Sequence, residues 1–219
     1  MAKNKILLVG KIPPPTGGVS VHISRLLSSS ETALNLSIDI FDYSRERNLF
    51  KILKKIYSAN LIHLHLSNKK IRLLCILLLK ILNKKTLVTY HGNYSFSNKY
   101  DRWSLKSSTA SILLNEISFN KAKQIKSERI YKIGAFIPPA SKHIKPLAEG
   151  IENKITKFLN NYSKVFCTNA SSLAFDENGD EIYMGTELLR YFKTREDIGL
   201  IFSTPNTNYV NFLNKKLIF

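Results

Sequence analysis

From residue 5 to residue 136, short apolar runs alternate with stretches whose apolar residues recur at helical spacing, and this alternation restricts the fold more than any other feature. Lys5–Gly10 (KILLVG) is an apolar run closed by glycine, and Leu36–Tyr43 alternates with period two. Leu61–Leu66 (LIHLHL), Thr86–Tyr90 (TLVTY), Ser111–Leu114 and Ile130–Phe136 have the same strand character. Between them, Val19–Leu27 places Val19, His22, Ile23, Leu26 and Leu27 on one helical face, and Asn48–Tyr57, Lys69–Leu82 and Glu116–Glu128 follow suit. The segment between Tyr90 and Ser111 is polar and aromatic and is expected to be a connection. Strands buried on both faces read as nearly continuous apolar runs, and parallel strands need a crossover helix between them. The predicted class is α/β, with a Rossmann-like doubly wound parallel sheet and right-handed crossovers.

Pro138-Pro139 and Pro146 interrupt the pattern. They divide the chain into an N-terminal lobe over 1–137, a linker over 138–146 and a second α/β lobe over 147–219. Helices near Leu147–Tyr162 and Glu181–Phe192, strands Lys164–Thr168 and Gly199–Ser203, and a last helical stretch to Phe219 fill the second lobe. Two strands make it small or incomplete, because α/β domains of this type commonly need about 100–150 residues.

Charge divides at the same place. Residues 1–148 carry 25 Lys and Arg against 7 Asp and Glu, a net of +18, whereas 149–219 carry 8 against 9, a net of −1. Such a lobe attracts polyanions: anionic lipid headgroups, nucleic acid or phosphorylated substrates. The two cysteines, Cys75 and Cys167, lie in apolar stretches and suit buried thiols in a reducing compartment, which excludes a disulfide scaffold. The longest apolar stretch, Ile71–Leu82, contains Arg72 and Lys80 and is too short for a bilayer span of about 20 residues. With no secretory signal after Met1, the expected location is cytoplasmic, peripheral on the inner face of the cytoplasmic membrane.

The candidate chemistry sits after strands. Thr16-Gly17-Gly18 separates the first strand from the first helix. Paired glycines allow close backbone approach, and the helix start offers free N–H groups to an anion; the alternative is a tight turn that needs glycine only for its φ angles. His91 and Asn93 follow the Thr86–Tyr90 strand, where ligands of doubly wound sheets bind. His63 and His65 share a strand face, with His65 nearer the carboxyl end. His22 reads as a core histidine on the apolar face of its helix. A site from His22, His65 and His91 is conceivable, but no zinc-type spacing accompanies it, and no metal is expected.

Basic residues cluster at Arg45, Arg47, Lys51, Lys54 and Lys55, at Lys69, Lys70 and Arg72, and at Lys121, Lys123, Lys126 and Arg129. The first group lies on an amphipathic helix with Leu49, Phe50, Ile52, Leu53 and Ile56, which suits docking on an anionic membrane surface. No helix-turn-helix, RNP or zinc-finger pattern is present, so nucleic acid is not an expected partner.

In combination and order, KILLVG, Thr16-Gly17-Gly18-Val19 with His22-Ile23, LIHLHLS, TLVTYHGN and YKIGAFIPP (131–139) resemble bacterial GT-B glycosyltransferases. The nearest kind is the retaining family-4 (group 1) enzymes that build surface polysaccharides. The resemblance implies two Rossmann-like lobes facing a cleft. It also implies transfer of a sugar from a nucleotide-sugar donor to a lipid-linked or polysaccharide acceptor, without a metal or other cofactor. It puts Gly17 and Gly18 near the donor diphosphate, His91 at the donor sugar as the catalytic residue, and Thr16, His65 and Asn93 in the acceptor cleft. The family's second lobe carries two glutamates separated by seven residues that grip the donor; no two glutamates here have that spacing. The resemblance therefore implies a truncated donor lobe and little or no transferase activity for this chain alone. The alternative is a non-catalytic membrane- or glycan-binding module that takes its donor lobe from a partner chain.

Overall fold

The computed structural model describes residues 4–14, 17–33, 37–138, 146–170, 173–175, 179–204 and 206–217, with backbone alone for 29–33 and 215–217. The chain divides into two compact units, Met1–Ile144 and Lys145–Phe219.

In the first unit, strands β1 (Lys5–Gly10), β2 (Ser37–Asp42), β3 (Leu61–Leu64), β4 (Lys85–Tyr90), β5 (Ala110–Leu113) and β6 (Ile130–Lys132) form one sheet. All pairings are parallel, in the order β2-β1-β3-β4-β5-β6. Helices α1 (Gly18–Ala33), α2 (Leu49–Ser58), α3 (Lys69–Ile81), α4 (Lys99–Ser107) and α5 (Glu116–Ile125) make the crossovers. After β1 the chain winds one way to β2, and after β2 it returns past β1 to β3. The direction of winding therefore reverses between β1 and β3, the switch point at which open α/β sheets hold ligands.

Asparagines start most of these helices. Asn48, Asn68, Asn98 and Asn115 are N-caps whose side chains accept amide hydrogens of the first turn, each such cap stabilising by about 1 kcal/mol. The core runs along the sheet through Leu7, Val9, Ile62, Leu64, Val88, Tyr90 and Leu113, and closes against Ile76 and Leu79 of α3, Leu105 of α4 and Ala122 of α5.

Arg72 departs from its expected place among surface charges. Its side chain is fully buried, ion-paired to Asp101, donates to the Leu66 carbonyl at 2.9 Å and lies 4.7 Å from the Tyr90 ring centre. Lys126 is likewise drawn inward, donating to the Leu105 carbonyl at 3.3 Å. The segment over 99–107, expected as a connection, is helix α4. β6 is three residues long, shorter than the expected Ile130–Phe136, because its pairing with β5 stops at Leu113↔Lys132.

The second unit comprises α6 (Glu149–Leu159), β7 (Lys164–Asn169), α7 (Gly185–Lys193), β8 (Ile198–Ser203) and α8 (Thr207–Leu217), with β7 and β8 parallel. Its core gathers Ala170, Tyr209 and Leu213 with Leu173, Leu189, Phe202 and Phe212. α7 begins at Gly185, four residues after the expected Glu181, because Glu181 is spent as a cap. Its carboxylate accepts from the Gly185 amide at 2.9 Å, from the Thr186 amide at 3.1 Å and from the Tyr209 hydroxyl. Cys75 is half-buried and burial raises its thiol pKa, but Cys167 is exposed, contrary to expectation, since residues of β7 are largely uncovered.

Candidate functional site

The carboxyl ends of β3 and β4 and the start of α1 deliver four histidines to one edge of the sheet. His65 follows β3, held by its amide donating to the Val9 carbonyl at 2.9 Å. His91 follows β4, and His22 lies in the second turn of α1. Gly10 makes the close approach feasible: a Cβ there would fall 2.3 Å from Ile23 Cδ1 and 3.3 Å from His65 Cβ. Only glycine lets α1 settle this near the end of β1.

His65 Nδ1 and His91 Nε2 share a hydrogen bond of 2.8 Å. The His22 ring lies 5.1 Å from that of His91 and 5.8 Å from that of His65, centre to centre. His22 Nδ1–H donates to the Ala135 carbonyl at 3.0 Å, which leaves Nε2 with the lone pair. His63 stacks 4.2 Å from His65 and bonds Thr89 Oγ1 through Nε2 at 2.7 Å. Burial, with the neighbouring rings adding to it, pushes His91 down to about 4 and His63 down to about 3, and lowers His65 as well. These three rings are neutral at physiological pH. They can give or take hydrogen bonds and offer lone pairs, but they supply no charge.

The loop before α1 is braced from β2. Asp42, almost fully buried, accepts from the Ile12 amide at 3.3 Å and the Ser44 amide at 2.9 Å. Burial opposes ionisation of Asp42, yet these hydrogen bonds and Arg45 hold its carboxyl below the usual range. Arg45 ion-pairs with Asp42 at 3.5 Å and donates to the Pro14 carbonyl at 2.8 Å.

Gly17 precedes α1, with its amide donating to Ser20 Oγ at 2.9 Å. Neither Gly17 nor Gly18 has a positive φ, and a Cβ on Gly18 would meet nothing within 4 Å. Neither φ nor space demands glycine at position 18 in this fold.

The expected site residues fall as follows. Gly17, Gly18, His65 and His91 lie at the same sheet edge, and Asn93 is exposed in the loop beyond it. Thr16 lies outside the described residues. His22, expected to be a core residue, joins the cluster. The signal was its position four residues after Gly18, on the first turns of a helix that begins at this edge. Of the basic set on and before α2, Arg47, Lys51 and Lys54 are exposed beside exposed Leu49, Phe50, Leu53 and Tyr57. Arg45 and Lys55 have other employment: Arg45 braces the loop, and Lys55 pairs with Glu46 at 2.9 Å and Asp39 at 3.6 Å. No helix of the described residues is long and apolar enough to cross a membrane.

No protein-family model matches the sequence, and no curated protein is detectably related to it. Solved structures do match in fold. Anabaena HepE in complex with UDP and glucose aligns over 97% of this chain and 65% of its own, at 13% identity and TM-score 0.56. Staphylococcus aureus MnaA with UDP aligns over 98% and 66%, at 12% identity and TM-score 0.60. A putative UDP-N-acetylglucosamine 2-epimerase from Listeria monocytogenes aligns over 97% and 66%, at 11% identity and TM-score 0.54. The chain thus spans just under two thirds of the length of the structures it matches. What the likeness establishes is a GT-B-like α/β fold, with one six-stranded Rossmann-like lobe and a smaller second unit.

Proposed function

We propose that this chain binds a nucleotide sugar at the carboxyl edge of its six-stranded sheet and is a glycosyltransferase of the retaining family-4 kind. The reading rests on one observation. The start of α1 and the histidine cluster flank the β1/β3 switch point together, in a fold shared with the HepE and MnaA structures that hold UDP. The Gly18 and Val19 amides, the first two of α1, lie at the positive end of its helix dipole. They would receive the donor diphosphate and stabilise it as it departs. His91, neutral and tied through Nε2 to His65, has Nδ1 left to meet a hydroxyl of the donor sugar near the reacting carbon. His65 is then a positioning residue that fixes the His91 ring. Asn93 and Thr16 are assigned to the acceptor side, and no step of the transfer requires a metal.

The acceptor is a lipid-linked or polysaccharide glycan, and the chain works as a peripheral protein on the inner face of the cytoplasmic membrane. Arg47, Lys51 and Lys54 with the exposed apolar residues of α2 are the anionic-lipid contact, each basic residue contributing about 1 kcal/mol near the surface. Residues 147–219 contain no glutamates at the family's paired spacing.

Isothermal titration of the full chain with UDP and with UDP-sugars tests the reading. Saturable one-to-one binding that weakens in His91→Ala supports it, and a folded chain that takes no heat at millimolar UDP overturns it. Binding without sugar transfer places the chain as the module rather than the enzyme.

A further inference from the structure

We propose that His22, His65 and His91 form a binding site for a divalent transition-metal ion, Zn2+ foremost, with a fourth position open to water or an anion. One ligating nitrogen from each ring lies within 4.8 Å of the others, and no other such trio of His, Cys, Asp or Glu occurs among the described residues. The three rings come from α1, the end of β3 and the end of β4, so the sheet and its first crossover fix their spacing. Sequence spacing of 43 and 26 residues hid the trio from a search for local zinc motifs.

Tetrahedral Zn–N bonds of about 2.0–2.1 Å set neighbouring ligand nitrogens about 3.3 Å apart. The 2.8 Å contact between His65 and His91 is tighter than this, and the 4.8 Å outer limit is looser. Binding therefore opens the hydrogen-bonded pair by about half an ångström and draws His22 inward, both small ring movements. The proton in the His65–His91 hydrogen bond moves to the other nitrogen of the ring that donates it, a change of tautomer with no net release. His65 Nε2 is buried without a partner, so that ring is incompletely satisfied as it stands.

Two further features suit an ion. His22 already has the outer-sphere arrangement of a metal ligand, with Nδ1–H on a backbone carbonyl and Nε2 bare. The His65 ring is also buried and the His22 and His91 rings partly so, which holds the three side chains in place around the candidate position. Three imidazoles without a carboxylate select Zn2+, Cu2+, Ni2+ or Co2+ over Mg2+ or Ca2+. The net positive charge of the lobe weakens the site, and salt screens that effect.

The test uses the untagged full chain, with no nucleotide present, so its outcome is separate from that of the UDP titration. Co2+ is followed by visible absorption and Zn2+ by calorimetry. The expected result is one ion per chain with a tetrahedral Co2+ spectrum, unaffected by excess Mg2+. His22→Gln and His91→Gln, checked for native circular dichroism, each weaken binding about tenfold or more. His143→Gln and Cys167→Ser leave it unchanged. Absence of stoichiometric binding overturns the proposal, as does affinity that survives in the His22→Gln/His91→Gln double variant or falls in His143→Gln.

Discussion

Removing the Asp101 carboxylate should destabilise the first unit through Arg72. The guanidinium is fully buried, and apart from Asp101 its hydrogen-bond acceptors are the Leu66 carbonyl at 2.9 Å and the Tyr94 hydroxyl at 3.3 Å, with Nε unpartnered. Rings Tyr90 and Tyr94, at 4.7 and 5.4 Å, supply some cation–π compensation. Breaking a buried pair from one side costs about 3–5 kcal/mol because a charge is stranded. Asp101 is 14% exposed in its side chain, so water can reach the vacated place, and we expect Asp101→Ala at the lower end, about 3 kcal/mol. At roughly 2–4 °C per kcal/mol for a unit of this size, the midpoint falls by about 6–12 °C. Removing both charges in Arg72→Met/Asp101→Leu should restore most of that loss. Thermal and urea unfolding followed by circular dichroism measures both variants. A loss under about 1 kcal/mol for Asp101→Ala, or a double variant no better than the single, would refute the argument.

Three further outcomes are expected. Gly18→Ala should leave stability unchanged or raise it by up to about 1 kcal/mol, since its Cβ meets nothing and alanine favours helix, while UDP affinity falls; calorimetry showing equal affinity would remove the diphosphate from this turn. Because burial holds His63 and His91 far below the free histidine value, the unfolded chain takes up protons first as pH falls. Stability is therefore full above about pH 6.5 and declines progressively towards pH 4 by a few kcal/mol; a urea midpoint that does not move between pH 7.5 and 5, or assigned His63 or His91 resonances titrating near 6.5, would contradict this. Gly199→Ala should destabilise the second unit by about 1–3 kcal/mol, as its Cβ would lie 2.7 Å from Tyr162 and 2.9 Å from Phe158; limited proteolysis that shows no added cleavage over 145–219 would count against it.

The sheet was legible because its strands are short, mostly apolar runs, with β2 alternating at period two, and each crossover helix but one carries an apolar stripe. The exception, α4, buries only Ser104 and Leu105; serine lets the helix approach closely, yet contributes nothing to a hydrophobic period. Arg72 misled for the opposite reason: beside Lys69 and Lys70 it reads as solvated charge, and only Asp101, 29 residues away, makes its burial feasible. Glu181 has helical character in sequence, but its carboxylate serves α7 better from outside. At the site, positions near or just past the carboxyl ends of strands were enough to single out His65 and His91. His22 was not, because an imidazole on an apolar helix face has the same pattern whether it packs or binds. What separates the two is tertiary: the Ala135 carbonyl 113 residues away that fixes its tautomer.

That last contact has a mechanical side. After β6 the chain is stitched twice to α1, by the Ala135 carbonyl on His22 and by the Ile137 carbonyl, which accepts from Arg25 at 2.9 Å. The strand of polypeptide leaving the sheet is thus fastened to the helix that carries an imidazole of the cluster. Tension on that exit would be transmitted to the His22 ring before it reached any other histidine.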